Sequence, residues 1–261
     1  MTHNTTHYTS ATKRRQALYI DIHNHSLYGV DDGPEDIAES IRMLEAAKAQ
    51  HIDAVILTPH LRHGMFPYQT DVIEANFATL KAEAAKRGID IKLYLGCEHH
   101  VDSDILEHIQ SKKCHTLNDS EYVLTEYSHS TPYSYIKEYT HKLVSYGYQP
   151  IVAHIERYEC FVKKPQLAEE LSRMGALIQI NADSVLGIDG KYLEKACRKL
   201  LKLGIADIIA SDAHGMTDRM NHMDECYRYV AKKYGEAYAN ELCCSNSQMI
   251  LEQTISGQSI S

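Results

Sequence analysis

Seven short apolar runs recur along this chain, and stretches of helical periodicity fill the gaps between them. The runs are Tyr19–Ile22, Ala54–Leu57, Ile91–Leu95, Tyr122–Leu124, Pro150–Ala153, Leu177–Ile180 and Asp207–Ala210. They are mostly β-branched or aromatic, which is the character of parallel strands buried on both faces. After the first run, Pro34, Glu35 and Asp36 fit a helical first turn, and Ile37, Ile41 and Leu44 share one face. Asp71 is placed to cap a second helix along Ile73, Phe77 and Leu80, with Gly88 as its stop. Pro165, Leu167, Leu171 and Gly175 mark a third, and Leu193, Ala196, Leu200 and Gly204 a fourth. No linker composition separates these units. The pattern predicts one α/β domain whose strands close into a barrel, because closure leaves no sheet edge exposed. A doubly wound open sheet is the structural alternative.

The bulk properties narrow the setting. A chain of 261 residues, 44% hydrophobic and 24% charged, is long enough for one large domain. No apolar run approaches the roughly 18–20 residues that span a bilayer. The N-terminal stretch is polar, lacks an apolar core and is not expected to be a secretory signal. Residues 1–17 are expected to form a flexible extension with His3 and His7 solvated, residues 18–252 the folded domain, and residues 253–261 a frayed tail. Seven cysteines, none in a C-x-x-C pair, argue for reduced thiols and a cytoplasmic protein. A net charge of −8 gives no basic footprint for nucleic acid.

The polar residues at the strand ends carry the chemistry. The first strand runs into His23 and His25, the second into His60, the third into Glu98 and the fourth into Glu126. The fifth runs into His154 and the seventh into Asp212 and His214. The sixth ends in Asn181, a candidate supporting hydrogen-bonding residue. A lone His or Glu at such a position is usually a polar residue opening a loop. The joint pattern is different, because barrel active sites form at the C-terminal ends of strands, and imidazole and carboxylate suit Zn, Mn and Fe. Residues i and i+2 on a strand share a face, so His23/His25 and Asp212/His214 each point into one cavity. A closed barrel brings the two pairs together, and Asp32 adds a carboxylate from the first loop. These nine ligands are too many for one ion and suit two or three, with a bridging carboxylate. His63, His99 and His100 are left out of this set, Arg62 and His63 are candidates for the pocket rim, and Cys97 reads as a small core residue.

The motifs HNH, TPH, GCE, TEYS, HIER and SDAH, in this order, resemble the PHP (polymerase and histidinol phosphatase) superfamily. GVDDG, HIER and SDAH resemble its bacterial protein-tyrosine phosphatase branch, the capsule and exopolysaccharide regulators. The resemblance spans roughly residues 18 to 245. It implies a distorted (β/α)7 barrel holding three divalent metal ions, commonly manganese. It implies as substrate the phosphotyrosine-bearing C-terminal tail of a membrane-associated bacterial tyrosine autokinase that controls polysaccharide export. By resemblance, His23, His25, Glu98 and Asp212 hold one metal, Glu98, Glu126 and His154 a second, and Asp32, His60 and His214 a third. Asp32 is preferred to Asp31 on this ground alone. Arg157 and Arg219 match the family's phosphate-binding arginines. Ile155 and Asn24 depart from the usual proline and cysteine, at positions that are not ligands.

The implied chemistry has a physical basis. Metal ions lower the pKa of bound water toward 7, and the resulting hydroxide attacks phosphorus. Guanidinium groups bind the phosphoryl oxygens bidentately and stay charged. A phenolate leaving group, with a reference pKa of roughly 10, departs more easily than an alkoxide. Thiol catalysis is excluded, since no cysteine is followed by arginine six positions on. Three rival readings remain: a small-molecule phosphatase acting on histidinol phosphate, a metal-dependent amidohydrolase, and a metal-stabilised protein that sequesters a kinase tail. The amidohydrolase reading lacks the bridging lysine at a middle strand end.

Overall fold

The computed structural model describes residues 19–252, so the expected N-terminal extension and the frayed tail lie outside the described residues. Nine parallel strands occur among them: β1 (Tyr19–Asn24), β2 (Ile52–Leu57), β3 (His60–Leu61), β4 (Lys92–Leu95), β5 (Glu98–His100), β6 (Tyr122–Glu126), β7 (Gln149–Val152), β8 (Leu177–Asn181) and β9 (Ile208–Ala210). All seven sequence-predicted strands are present. The extra two arise because the second and third barrel strands are each broken in two. Thr58-Pro59 separates β2 from β3, and Gly96-Cys97 separates β4 from β5. The ladder therefore splits into sheets ordered β1-β2-β4 and β3-β5-β6-β7-β8-β9. Backbone bonds stitch across the breaks, from Gly96 N to Leu57 O at 2.8 Å and from Glu98 N to Pro59 O at 3.1 Å. Gly96 permits this crossing: a Cβ there would lie 2.7 Å from Leu117 Cδ2.

The circle closes between the last and first strands. Asn24 pairs with Ala213, Asp212 N donates to His23 O at 2.9 Å, and His25 N donates to Ala213 O at 2.9 Å. The result is a distorted (β/α)7 barrel. Ile20, Ile22, Ala54, Ile56, Leu124, Ile151 and Ile208, alternate residues of their strands, make the smaller apolar cluster that fills the barrel, with Ile250 from the C-terminal helix against it. The intervening residues, Val55, Leu57, Val123, Val152 and Ile178 among them, pack against the surrounding helices. Such periodic two-sided burial is what made the strands readable as continuous apolar runs.

Two helix starts differ from expectation. The first helix is Ile37–Ala49, and Asp36 caps it by accepting from Glu39 N at 2.9 Å. Pro34 and Glu35 therefore precede the helix, because a carboxylate that satisfies an orphan N–H fixes the start more strongly than a permissive proline. The second helix, Thr70–Lys86, begins one residue before Asp71, which sits in its first turn rather than at its cap. Helices Gln166–Arg173 and Lys191–Leu203 follow the predicted stripes, the latter ending on Gly204 at φ +66°. No helix among the described residues is long and apolar enough to cross a membrane.

Candidate metal centre

A bulge in β1 aims the first two histidines. Asp21 opposes Val55 and Asn24 opposes Leu57, so three steps along β1 match two along β2. Ile22 thus stays in the barrel core while His23, its neighbour, also turns inward. Two other strand ends use a backbone twist instead. His154 has φ +33° and Asp212 has φ +54°, left-handed values that His and Asp tolerate better than most residues. The expected strand-face relation of Asp212 and His214 is corrected here. β9 ends at Ala210, and it is the left-handed turn at Asp212 that lets both side chains enter the cavity.

The nine nominated side chains form one connected array. Glu98 lies at its centre, fully buried. Its Oε2 is 3.1 Å from His23 Nε2, 3.2 Å from His25 Nε2 and 3.0 Å from His60 Nδ1, and its Oε1 is 2.9 Å from His154 Nε2. Asp212 Oδ1 is 3.3 Å from His23 Nε2 and 3.6 Å from His25 Nε2. Asp32 Oδ1 is 3.4 Å from both His60 Nε2 and His214 Nε2, and Glu126 Oε2 is 4.0 Å from His60 Nδ1. Three groupings bring their ligand atoms within 4.8 Å of one another: His23, His25, Glu98 and Asp212; His25, Asp32, His60 and His214; and His60, Glu98 and Glu126. His154 joins the array through Glu98.

Two of the ligand imidazoles are oriented by acceptors outside the array. His25 Nδ1 is 2.8 Å from Asp31 Oδ2, and His214 Nδ1 is 2.9 Å from the Asp212 carbonyl. Both Nδ1 atoms face acceptors and must donate, which turns each Nε2 inward, toward Glu98 and Asp212 for His25 and toward Asp32 for His214. Glu98 Oε2, Asp212 Oδ1, His60 Nδ1, Glu126 Oε2 and His214 Nε2 are all buried and make no hydrogen bond of good geometry, although each lies within 4.0 Å of another ligand atom of the array. Burying lone pairs and anions together is costly unless a cation joins them. The donor set, imidazole and carboxylate with no thiolate, fits divalent metal ions of the Mn, Fe and Zn type.

The electrostatics report the same excess of negative charge. Burial pulls His23 down, but the Glu98 and Asp212 carboxylates prevail and raise it to about 9. His60 is likewise raised to about 10, against burial, chiefly by Glu98. Glu98 and Asp212 are held well below the usual carboxylate range despite burial, by His23 and other neighbouring cations. Glu126 is pushed up to about 7 by burial and by Glu98. His154 and His214 fall to about 4, through burial first and then through Arg157 and His25 respectively.

Two arginines flank the array at its open side. Arg157 Nη1 is 3.0 Å and Arg219 Nη2 is 2.8 Å from the same oxygen, Asp212 Oδ2. Their side chains keep 20% and 32% exposure, so donors remain for an anion arriving from solvent.

The model of the family described as capsular polysaccharide synthesis, CpsB/CapC, matches residues 19–252. The chain belongs to the CpsB/CapC family. It is similar to the tyrosine-protein phosphatase CpsB of Streptococcus agalactiae, 33% identical over 238 residues that cover 89% of this chain and 98% of the relative. It is also similar to the tyrosine-protein phosphatase YwqE of Bacillus subtilis, 30% identical over 90% of this chain and 93% of the relative. A solved structure described under YwqE from Bacillus subtilis and CpsB from Streptococcus pneumoniae, as metal-dependent tyrosine phosphatases, superposes with a TM-score of 0.84 at 29% identity, covering 92% of this chain and 97% of that one.

In this CpsB/CapC member, further residues support the array, and of them the sequence had marked Asn181 but not Gln179 or Phe66. Asp31 accepts from Gly33 N and His60 N as well as from His25, so it orients ligands while Asp32 faces the cavity. Its acidity beside a metal motif was the available signal, and nothing local separates the two aspartates. Gln179 contacts His23 and His154 from mid-strand. Asn181 donates to Asp212 Oδ2 at 2.8 Å, the supporting position anticipated for it. Phe66 stacks on His60, with ring centroids 5.2 Å apart. Among the residues set aside, His99 is buried against the His115 carbonyl and His100 pairs with Ser128. Cys97 is buried, and all seven cysteines are unpaired.

Proposed function

We propose that this chain is a metal-dependent protein-tyrosine phosphatase that hydrolyses phosphotyrosine on the C-terminal tail of a bacterial tyrosine autokinase controlling capsular or exopolysaccharide synthesis, and that it acts in the cytoplasm with manganese as the preferred ion. The observation that carries this reading is the buried cluster of imidazole and carboxylate ligands around Glu98, flanked by two arginines that reach one carboxylate oxygen. His23, His25, Glu98 and Asp212 would hold one ion. Glu98 and Glu126, with His154 or His60, would hold a second, and Asp32, His60 and His214 a third. When bound, such ions supply Lewis acidity toward phosphoryl oxygens and lower the pKa of water.

The protein's own groups do the rest. Arg157 and Arg219 bind and orient the phosphoryl oxygens, whose charge spreads over equatorial positions during transfer. Asp212 Oδ2 holds both guanidinium groups in place from the buried side. The tyrosyl oxygen leaves as a phenolate, which lessens the need for a strong general acid.

Elemental analysis combined with a phosphotyrosine-peptide assay before and after EDTA tests the reading, with histidinol phosphate assayed in parallel. Activity is expected to vanish on chelation and to return with Mn2+. Turnover by protein with metal content near zero overturns it, and preference for histidinol phosphate moves the enzyme to small-molecule substrates.

A further inference from the structure

Gln179 and Asn181 on β8 are both buried, at 0% and 1% exposure, and neither belongs to the ligand array. Their neighbours Ile178 and Ile180 pack into the apolar core. A pair of buried amides at this place is a liability unless every polar atom is satisfied. Here the pairing can be derived from one fixed point. The backbone N–H of His154 can only donate, and it lies 3.0 Å from Gln179 Oε1, so that atom is the oxygen. Gln179 Nε2 then donates to Asn181 Oδ1 at 2.8 Å, and Asn181 Nδ2 donates to Asp212 Oδ2 at 2.8 Å. The Asp212 carboxylate, an acceptor, closes the other end consistently. His23 Nδ1, 3.1 Å from Gln179 Oε1, must therefore donate. Its Nε2 is left to face Glu98 and Asp212.

We propose that Gln179 and Asn181 form a positioning relay that holds His23, His154 and Asp212, delivered by three different strands, in the mutual arrangement that cation binding requires. The relay touches no reacting atom and rests on the metal-dependent reading above. It fixes the tautomer of His23, secures the left-handed backbone at His154, and restrains the carboxylate that anchors both arginines. Asn181 is itself held, because its N–H donates to Glu156 Oε1 at 3.0 Å. The partner of His23 is a neutral amide, whereas that of His25 is the Asp31 carboxylate, so the two imidazoles beside Glu98 are tuned differently.

The test uses the full chain, stripped of metal and titrated with Mn2+ by calorimetry, with bound metal counted by elemental analysis. Gln179→Met keeps the length and removes both amide functions. It is expected to retain a cooperative melt yet to lose roughly 10- to 100-fold in affinity for at least one Mn2+ per chain. Gln179→Glu keeps both acceptor contacts and is expected to fall between Gln179→Met and wild type. In Zn2+-loaded protein, imidazole 15N NMR is expected to show His23 as the Nδ1–H tautomer in wild type and to lose that fixed signature in Gln179→Met. If Gln179→Met does not fold, Asn181→Leu, which removes the link to Asp212 and the acceptor for Gln179 Nε2 but leaves Gln179 Oε1 on His23 and His154, carries the same expectation for Mn2+ affinity. Wild-type protein that binds no Mn2+ would remove the metal reading itself. Wild-type binding combined with unchanged affinity and an unchanged His23 signature in the folded variants overturns the relay alone.

Discussion

Arg157, on the short 3-10 helix Ile155–Arg157, and Arg219, in the segment after β9, approach one oxygen of Asp212, and this convergence decides what each contributes. With one donor spent on the carboxylate, each guanidinium keeps others for a phosphate, and hydrogen bonds to charged groups are worth about 1.5–3 kcal/mol. Arg157→Ala is therefore expected to lower kcat/KM for a phosphotyrosine peptide on the order of 10- to 100-fold, with bound metal per chain unchanged. Arg157→Lys should recover only part of this, because an ammonium cannot bind bidentately. A loss no larger than twofold in steady-state assays would show that Arg157 serves Asp212 and not the substrate. At this scale the sequence was most informative where residue type limits chemistry. One imidazole or carboxylate at a strand end usually opens a loop, but their recurrence at nearly every strand end suits ligation, so His23, His60, Glu98 and Asp212 stood out together. Gln179 did not, since an amide within a strand carries no chemical mark until its partners are known.

The elements place these residues by small departures from regularity. The β1 bulge, the breaks at Thr58-Pro59 and Gly96-Cys97, and the left-handed turns at His154 and Asp212 each re-aim a side chain. None is encoded by periodicity, which reports only average strand and helix faces. The loop after β1 shows how tightly such a device is packed. A Cβ on Gly33 would lie 2.2 Å from the His25 carbonyl and 3.1 Å from Asp31 Oδ1. Gly33 lets the loop pass under the ligands. Gly33→Ala is expected to destabilise the fold by about 1–3 kcal/mol, as overpacking does, and to reduce metal bound per chain by one, at the Asp32 grouping. Urea unfolding and elemental analysis check both, and a variant with full metal content would show that the loop has room to shift.

Across the whole molecule, the array makes stability depend on what fills it. His23 at about 9 and His60 at about 10 bind protons more tightly in the fold than in the unfolded chain, where imidazole titrates near 6.5. Their contribution is fully present below pH 6.5 and is lost as pH rises through 9 to 10. Glu126, at about 7, opposes folding increasingly from about pH 4.5 to 7 and adds nothing beyond. Metal-stripped protein is therefore expected to lose thermal stability between pH 7 and 10, and Mn2+-loaded protein to lose less, since a cation replaces those protons. Parallel declines in the two melting curves would show that the histidines do not share the array with metal. The sequence by itself determined the seven β/α units, the apolar faces that bury them, and which residue types end each strand, because periodicity and composition are local properties. The meeting of Asp212 with His23 was expected on the condition that the barrel closes; the tertiary structure alone decided that it does, that Glu98 sits among four imidazoles, and that Asp31 supports His25 and the His60 backbone. Those outcomes depend on closing a circle of strands far apart in the chain, and no short stretch of residues carries that geometry.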